Sequence, residues 1–201
     1  MVLLARAPSR RDELVAVALE VLERDGASNL SIGEIARLAS IKPPSLYKQF
    51  TSKADIEARL IEHGFWLLAD ALAGRAATPR LASMGSADRA DDFADDRADG
   101  SYRGRVSLFA SRLRAFGHAH PQLYRLMFAR PYPIDLIDAD AEAAAVAQYR
   151  ELVGDSQLDQ GTWAWAHGLL SLELAGRLPQ GHAGDALWQS LIDTTAGIST
   201  R

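Results

Sequence analysis

Residues 31–53, SIGEIARLASIKPPSLYKQFTSK, constrain this chain more than any other stretch. Ser31 and Glu34 form an S-x-x-E capping box, and Ile32, Ile35 and Ala36 follow at helical spacing. Lys42 and Pro43 each precede a proline, which disfavours the α region, so a second helix is expected to open at Pro44. Leu46 and Phe50, four apart, would anchor it to Leu14, Val17 and Ile35. Ser45, Tyr47, Lys48 and Gln49 are left on a short polar surface, and the amides of Ser45 and Leu46 are placed to face a phosphate. Two short helices joined by a tight turn make a helix-turn-helix whose second helix, Pro44–Phe50, would enter the major groove of DNA. A plain helical hairpin with a solvated turn fits the same spacing.

The remaining pattern is helical as well. Leu14, Val17, Ala18, Val21 and Leu22 predict a first helix over about Arg10–Arg24, ended by Asp25-Gly26. Ser52 and Asp55 repeat the capping pattern before a long fourth helix, Ala54–Ala73, carrying Ile56, Leu60, Ile61, Leu67 and Leu68. Periodicity fails from Gly74 to Gly104, where SADRADDFADDRADGS reads as a linker, mobile or with one short exposed helix after Ser86. Helices are then expected from near Arg105 to His120, from Pro121 through Phe128, over Ile134–Val153 after the Pro131 and Pro133 break, over Asp159–Arg177, and over Gly184–Ile198. No useful strand alternation occurs, so the fold class is all-α. The expected organisation is an N-terminal arm and three-helix helix-turn-helix domain over 1–53, a connecting helix over 54–73, a linker over 74–104 and a helical regulatory and dimerisation domain over 105–201.

The penultimate helix has two apolar stripes: Trp163, His167, Leu170 and Leu174, and Trp165, Leu169 and Leu172. A helix apolar on several faces must be covered on several faces. Trp188, Leu191, Ile192 and Thr195 on the last helix offer a companion stripe. A second copy would complete a symmetric four-helix interface through Leu170, Leu174, Trp188, Leu191 and Ile192; a central core helix in a monomer is the alternative. Phe109, Leu113, Phe116, Tyr124, Met127, Phe128, Trp163 and His167 are candidates to line an apolar small-molecule cavity, although helical aromatics also serve simply as core.

Composition narrows the chemistry. The absence of cysteine excludes disulfides, thiolate metal sites and cysteine nucleophiles. No G-x-S-x-G, H-E-x-x-H or glycine-rich phosphate loop occurs, so neither an enzyme nor a cofactor is expected. His118 and His120 near a helix end diverge by about 200° and suit helix C-terminal carbonyls better than a metal. MVLLARAPSRRDE is too short in its apolar run for a signal peptide, and no run is long enough to cross a bilayer, so a soluble cytoplasmic protein without a membrane partner is expected. Met1–Lys53 carries eight basic and six acidic residues, a balance of +2 on a chain of net charge −4. A modestly basic end on an acidic body suits a small DNA footprint, and ordinary scatter of surface charge accounts for it equally well.

Over about Arg10–Leu68 the chain resembles the TetR family of transcriptional regulators, through S31-x-x-E34-I35-A36 and S45-L46-Y47-K48-Q49-F50-T51-S52-K53. F116-G117-H118-A119-H120-P121-Q122-L123-Y124-R125-L126-M127-F128 and W163 with H167-G168-L169-L170-S171-L172-E173 resemble a subgroup of that family named for a Trp-His-Gly pattern. The resemblance implies a homodimeric repressor released from a palindromic double-stranded operator by a small, largely apolar inducer. It implies DNA contacts at Ser31, Lys42, Pro43, Pro44, Ser45, Tyr47, Lys48, Gln49 and Lys53. A helical small-molecule-binding module without DNA-binding activity is the alternative. Two positions depart from the family pattern: Ser40 replaces the usual turn glycine, and Gly33 stands where a larger DNA-facing side chain is common.

Overall fold

The computed structural model describes residues 9–75, 100–128 and 136–199. Among them are nine α-helices and no strand: α1 Arg10–Asp25, α2 Ile32–Leu38, α3 Pro43–Tyr47, α4 Lys53–Leu72, α5 Tyr102–Ala119, α6 Pro121–Phe128, α7 Ala139–Leu152, α8 Gln157–Leu174 and α9 His182–Ser199. Most of the expected linker, Pro131 and Pro133 lie outside the described residues.

Local capping explains where the helix starts differ from the sequence reading. Ser101 caps α5 by accepting from the Gly104 amide at 3.0 Å, so this helix begins before Arg105. Ser156 and Asp159 form a reciprocal capping box, which starts α8 at Gln157 rather than Asp159. Helix α7 begins only at Ala139; Leu136–Asp138, expected to belong to it, lie before its start. Pro43 is already helical, which corrects the expected start at Pro44. Lys42 takes the extended conformation that the following proline demands, and both prolines fall in the first turn, where an amide would have no intrahelical acceptor.

The chain divides into two compact units. The first comprises Met1–Gly64 with Gln122–Asp138, and the second Phe65–Pro121 with Ala139–Arg201. Helix α4 therefore contributes to both units, and α6 belongs with the N-terminal helices rather than with the 105–201 region. In the first unit Leu14, Ala18, Leu22, Ile35, Leu46, Phe50, Ile56 and Leu60 are buried, the stripes that periodicity aligned. Met127 and Leu123 of α6 lie so close to Gly64 of α4 that a Cβ there would meet Met127 Sδ at 2.5 Å. In the second unit α5 packs on α7, α8 and α9, and α8 packs on α9. Phe109, Tyr149 and Trp163 form an aromatic cluster at its centre, with ring centroids 4.8, 5.7 and 5.3 Å apart.

Candidate DNA-binding surface and regulatory unit

Helix α3 has only five residues and owes its position to its anchors. Leu46 and Phe50 are buried in the first unit, as their spacing predicted. The Arg11 guanidinium sits 5.3 Å from the Phe50 ring centre and pairs with Asp55 at 3.2 Å. Asp55, itself buried, also accepts the Thr51 amide at 2.9 Å, fixing the turn that leads from α3 into α4. Sequence reasoning passed over both Arg11 and Asp55 as support for the reading helix. The Ser52-x-x-Asp55 pattern was the available signal for Asp55.

On the other side of these anchors the expected contact residues are open. Ser31, Lys42, Pro43, Pro44, Ser45, Tyr47, Lys48 and Lys53 are exposed and Gln49 is half-buried. Tyr47 is 56% exposed, the highest of the large apolar side chains among the described residues. The side chains of Lys42 and Lys48 make no hydrogen bond or ion pair within the described residues, so both charges face outward. Lys53 differs: its Nζ donates to the Ala27 carbonyl at 2.8 Å and lies 3.9 Å from Glu57. A phosphate contact from Lys53 would compete with that internal bond. The Ser45 amide, expected to be free for a phosphate, donates to the Lys42 carbonyl at 2.9 Å.

Helix α2 starts at Ser31, whose hydroxyl accepts the Glu34 amide at 3.2 Å. Glu34 turns instead to Arg37 and Arg24, at 2.7 and 2.6 Å. Those bonds, from Arg37 first and Arg24 second, hold the Glu34 carboxyl at about 2. The two arginines are thereby engaged, and the outward charge of this face rests on Lys42 and Lys48. A Cβ at Gly33 would point into open space, with nothing beyond its own helix backbone and chain neighbours within 4 Å.

Ser40 closes α2 in the left-handed region, with φ of 54°. The Ile41 amide donates to the Ala36 carbonyl at 2.9 Å and the Ser40 amide to the Arg37 carbonyl at 3.2 Å, a Schellman closure that favours glycine. The serine conformation costs about 1–2 kcal/mol, partly offset by the greater chain entropy a glycine would lose. Ser40→Gly should therefore raise stability by up to about 1 kcal/mol and leave DNA affinity within twofold. A lowered thermal midpoint would show that the turn is not strained by its side chain.

The eight candidate cavity residues are divided between the two units. Tyr124, Met127 and Phe128 belong to the first unit, and Phe109, Leu113, Phe116, Trp163 and His167 to the second. Phe109, Leu113 and Phe116 are closed into the α5 core, and Tyr149, which the sequence reading missed, packs on Phe109 and Trp163. It was the one aromatic in an alanine-rich helix and so the side chain there with most to bury. Burial lowers the affinity of His167 for a proton, and its Nε2 lies 3.5 Å from Ser171 Oγ. A separate open groove of about 420 Å³ is lined by Gln157, Leu158, Gly161, Thr162, Trp165, Thr195 and Ile198, none of them candidates from sequence.

Placement of the expected interface residues requires a correction. Leu170, Leu191 and Ile192 are 0% exposed and Trp188 is 1% exposed within a single chain, and Leu174 is half-buried. An interface side chain must have surface to lose, and four of these five have none. Leu170 packs on Gly117 of α5, where a Cβ would come within 2.6 Å of its Cδ2. The outward large apolar side chains of the same helices are Trp165 and Leu172 on α8 and Leu187 and Ile198 on α9. His118 faces Glu173 at 3.4 Å from the last turn of α5, and no group of three or more metal-ligating side chains occurs among the described residues. No helix of the described residues is long and apolar enough to cross a membrane.

Comparison with known proteins agrees with this geometry. Residues 14–60 match the model of bacterial regulatory proteins of the tetR family, and residues 106–195 match the tetracyclin repressor-like C-terminal domain. A DNA-binding transcriptional repressor TetR from Mycobacteroides abscessus is 39% identical over 62 residues, 30% of this chain. The match spans about a third of that relative's length, 33%. Among solved structures, a tetR-family transcriptional regulator from Streptomyces coelicolor superposes with a TM-score of 0.65 at 21% identity, covering 95% of this chain and 83% of the other. BioQ bound to its double-stranded DNA operator superposes at 0.51 with 18% identity, covering 94% and 98%. With both family models matched in order and the helix-turn-helix at the expected place, the chain belongs to the TetR family of transcriptional regulators.

Proposed function

We propose that the protein is a homodimeric repressor that binds a palindromic double-stranded operator and is released from it by a small, largely apolar molecule. The observation that carries this reading is the short α3, held by buried Leu46 and Phe50, which turns Lys42 and Lys48 outward without internal partners. Lysines of this kind engage phosphate, Gln49 suits an adenine edge, and Pro44 can meet a thymine methyl. Ser31 and Tyr47 add hydroxyls for the backbone, and Pro43, Ser45 and Lys53 complete the proposed contact set.

Dimerisation is supported by Trp165, Leu172, Leu187 and Ile198, which leave an apolar outer face on α8 and α9. Two copies joined there form a four-helix interface, with the buried Leu170, Trp188, Leu191 and Ile192 behind it. Recognition helices of such a dimer read half-sites roughly 34–36 Å apart, so a change in their separation defeats simultaneous binding. An inducer acts by its differential affinity for the two dimer states. Phe109, Leu113, Phe116, Trp163 and His167 are the side chains proposed to receive it, and the first three, closed into the core of the single chain, must part to admit it.

Selection of bound duplexes from a random pool tests this reading. A palindromic winner is expected, and the Trp165→Glu, Leu172→Glu variant should run as a monomer in light scattering and lose that winner. No enrichment from the pool would favour a helical small-molecule-binding module, and a variant of dimeric mass would overturn the interface.

A further inference from the structure

The first unit contains a stretch, Gln122–Asp138, that is separated in sequence from the rest of it and flanked on both sides by the second unit. The first and last amides of this stretch are each held by a glutamate from the N-terminal helices. Glu23 of α1 accepts the Gln122 amide at 3.0 Å and the Leu123 amide at 2.9 Å, one on each carboxylate oxygen. Glu62 of α4 accepts the Asp138 amide at 2.7 Å. Arg59, one turn before Glu62, bonds both Glu62 oxygens at 2.6 and 2.7 Å and donates to the Leu136 carbonyl at 3.3 Å.

We infer that Glu23 and Glu62 are positioning residues that clamp the two ends of this stretch to the DNA-reading helices and thereby link the regulatory chain to α1 and α4. This rests on the DNA-binding reading above. Connectivity makes the placement consequential. Pro121 and Ala139 belong to the second unit and each is one peptide bond from a clamped amide, Gln122 or Asp138. The clamped amides are therefore those at which the chain enters and leaves the first unit. Between the clamps, Leu123 and Met127 rest on Gly64, so α6 has no slack against α4. Glu23 combines a charge-assisted bond with the favourable position of an anion at a helix N-terminus, which isolated surface pairs lack. A glutamine at position 23 presents one oxygen and one NH₂ group, so one of the two α6 amides would face a donor.

Amide hydrogen exchange on the full-length protein tests the clamp, with the duplex selected from the random pool as the probe. In the wild type, duplex binding is expected to slow exchange in 122–128 and at 136–138 about tenfold. In the Glu23→Gln, Glu62→Met variant, duplex affinity should stay within threefold while that slowing disappears. Persistence of the slowing in a variant of normal helicity would overturn the inference, as would duplex binding by the wild type with no change in either segment. If no duplex binds, the DNA reading fails separately and the clamp is judged in the free protein. There the double variant should exchange about tenfold faster than wild type in these segments, with 10–25 unchanged, and equal rates would overturn the clamp. Should the double variant fail to fold, Glu62→Met alone should release Asp138 and leave Gln122 and Leu123 protected, and uniform exchange across all three would refute it.

Discussion

Exchange of both Lys42 and Lys48 for alanine is expected to weaken operator binding about 100-fold at moderate salt and to flatten its salt dependence. Each lysine is exposed and without an internal partner, so its charge is available to a phosphate and its removal leaves the fold undisturbed. A dimer would lose four phosphate contacts. At about 0.9 in the log–log salt slope per contact, the slope should fall in magnitude by about 3–4. The two side chains also separate in kind. Lys42 precedes the helix and should act uniformly on all sequences, whereas Lys48 at the C-cap of α3 can also reach a guanine edge. The single Lys48→Ala variant should therefore relax base preference at one position as well as lower affinity. Binding measured against salt concentration checks both points, and an unchanged slope in the double variant would remove these lysines from the contact set. Arg24 and Arg37 should matter less, because Glu34 already engages them.

The second large effect concerns acid. Glu173 on α8 accepts from Arg114 of α5 at 2.6 Å and from the Trp188 indole of α9 at 3.0 Å, with His118 at 3.4 Å. Arg114 also reaches Asp185 at 2.8 Å and lies 5.5 Å from the Trp188 ring centre. Burial pushes the Glu173 carboxyl up, but the bonds from His118, Arg114 and Trp188, with the charge of Arg114, outweigh it and hold it at about 2. Because this folded value is below the ordinary 4.5, the stabilisation is present above pH 4.5 and is lost as the pH falls from there toward 2. Its size is on the order of 2–3 kcal/mol, which corresponds to a fall of about 5–10 °C in the thermal midpoint. The Glu173→Gln variant should be less stable than wild type at pH 7 by a similar amount and should lose less on acidification. All four tryptophans, Trp66, Trp163, Trp165 and Trp188, lie in the second unit, so their fluorescence follows this unit selectively. Parallel midpoint-against-pH curves for the two proteins would exclude Glu173 as the source.

How much could be read before the structure differs between the two units. The reading helix was legible because its determinants are local: two prolines set its start, Leu46 and Phe50 set its inward face, and Ser45, Tyr47, Lys48 and Gln49 were left for solvent. Even there, Arg11 on the Phe50 ring and Asp55 on the Thr51 amide were missed, since their roles depend on where α1 and α4 pass. The Lys53 bond to the Ala27 carbonyl joins residues 26 apart in sequence and left no local mark.

The second unit was legible only as helices. Composition and periodicity determined that the chain is all-α, where most helices run, and that α8 carries more apolar surface than one face can hide. They could not decide which stripe of α8 turns inward, because a 3.6-residue repeat orders positions around one helix without saying what stands beside it. Tertiary packing decided it. Gly117 on α5 admits Leu170, the core closes over Trp188, Leu191 and Ile192, and Trp165 and Leu172 are left outside. Tertiary structure also assigned α6 to the N-terminal unit, through bonds from Glu23 to amides 99 and 100 residues away. Bonds of that span are chosen by the folded arrangement of helices, and no local sequence pattern encodes them.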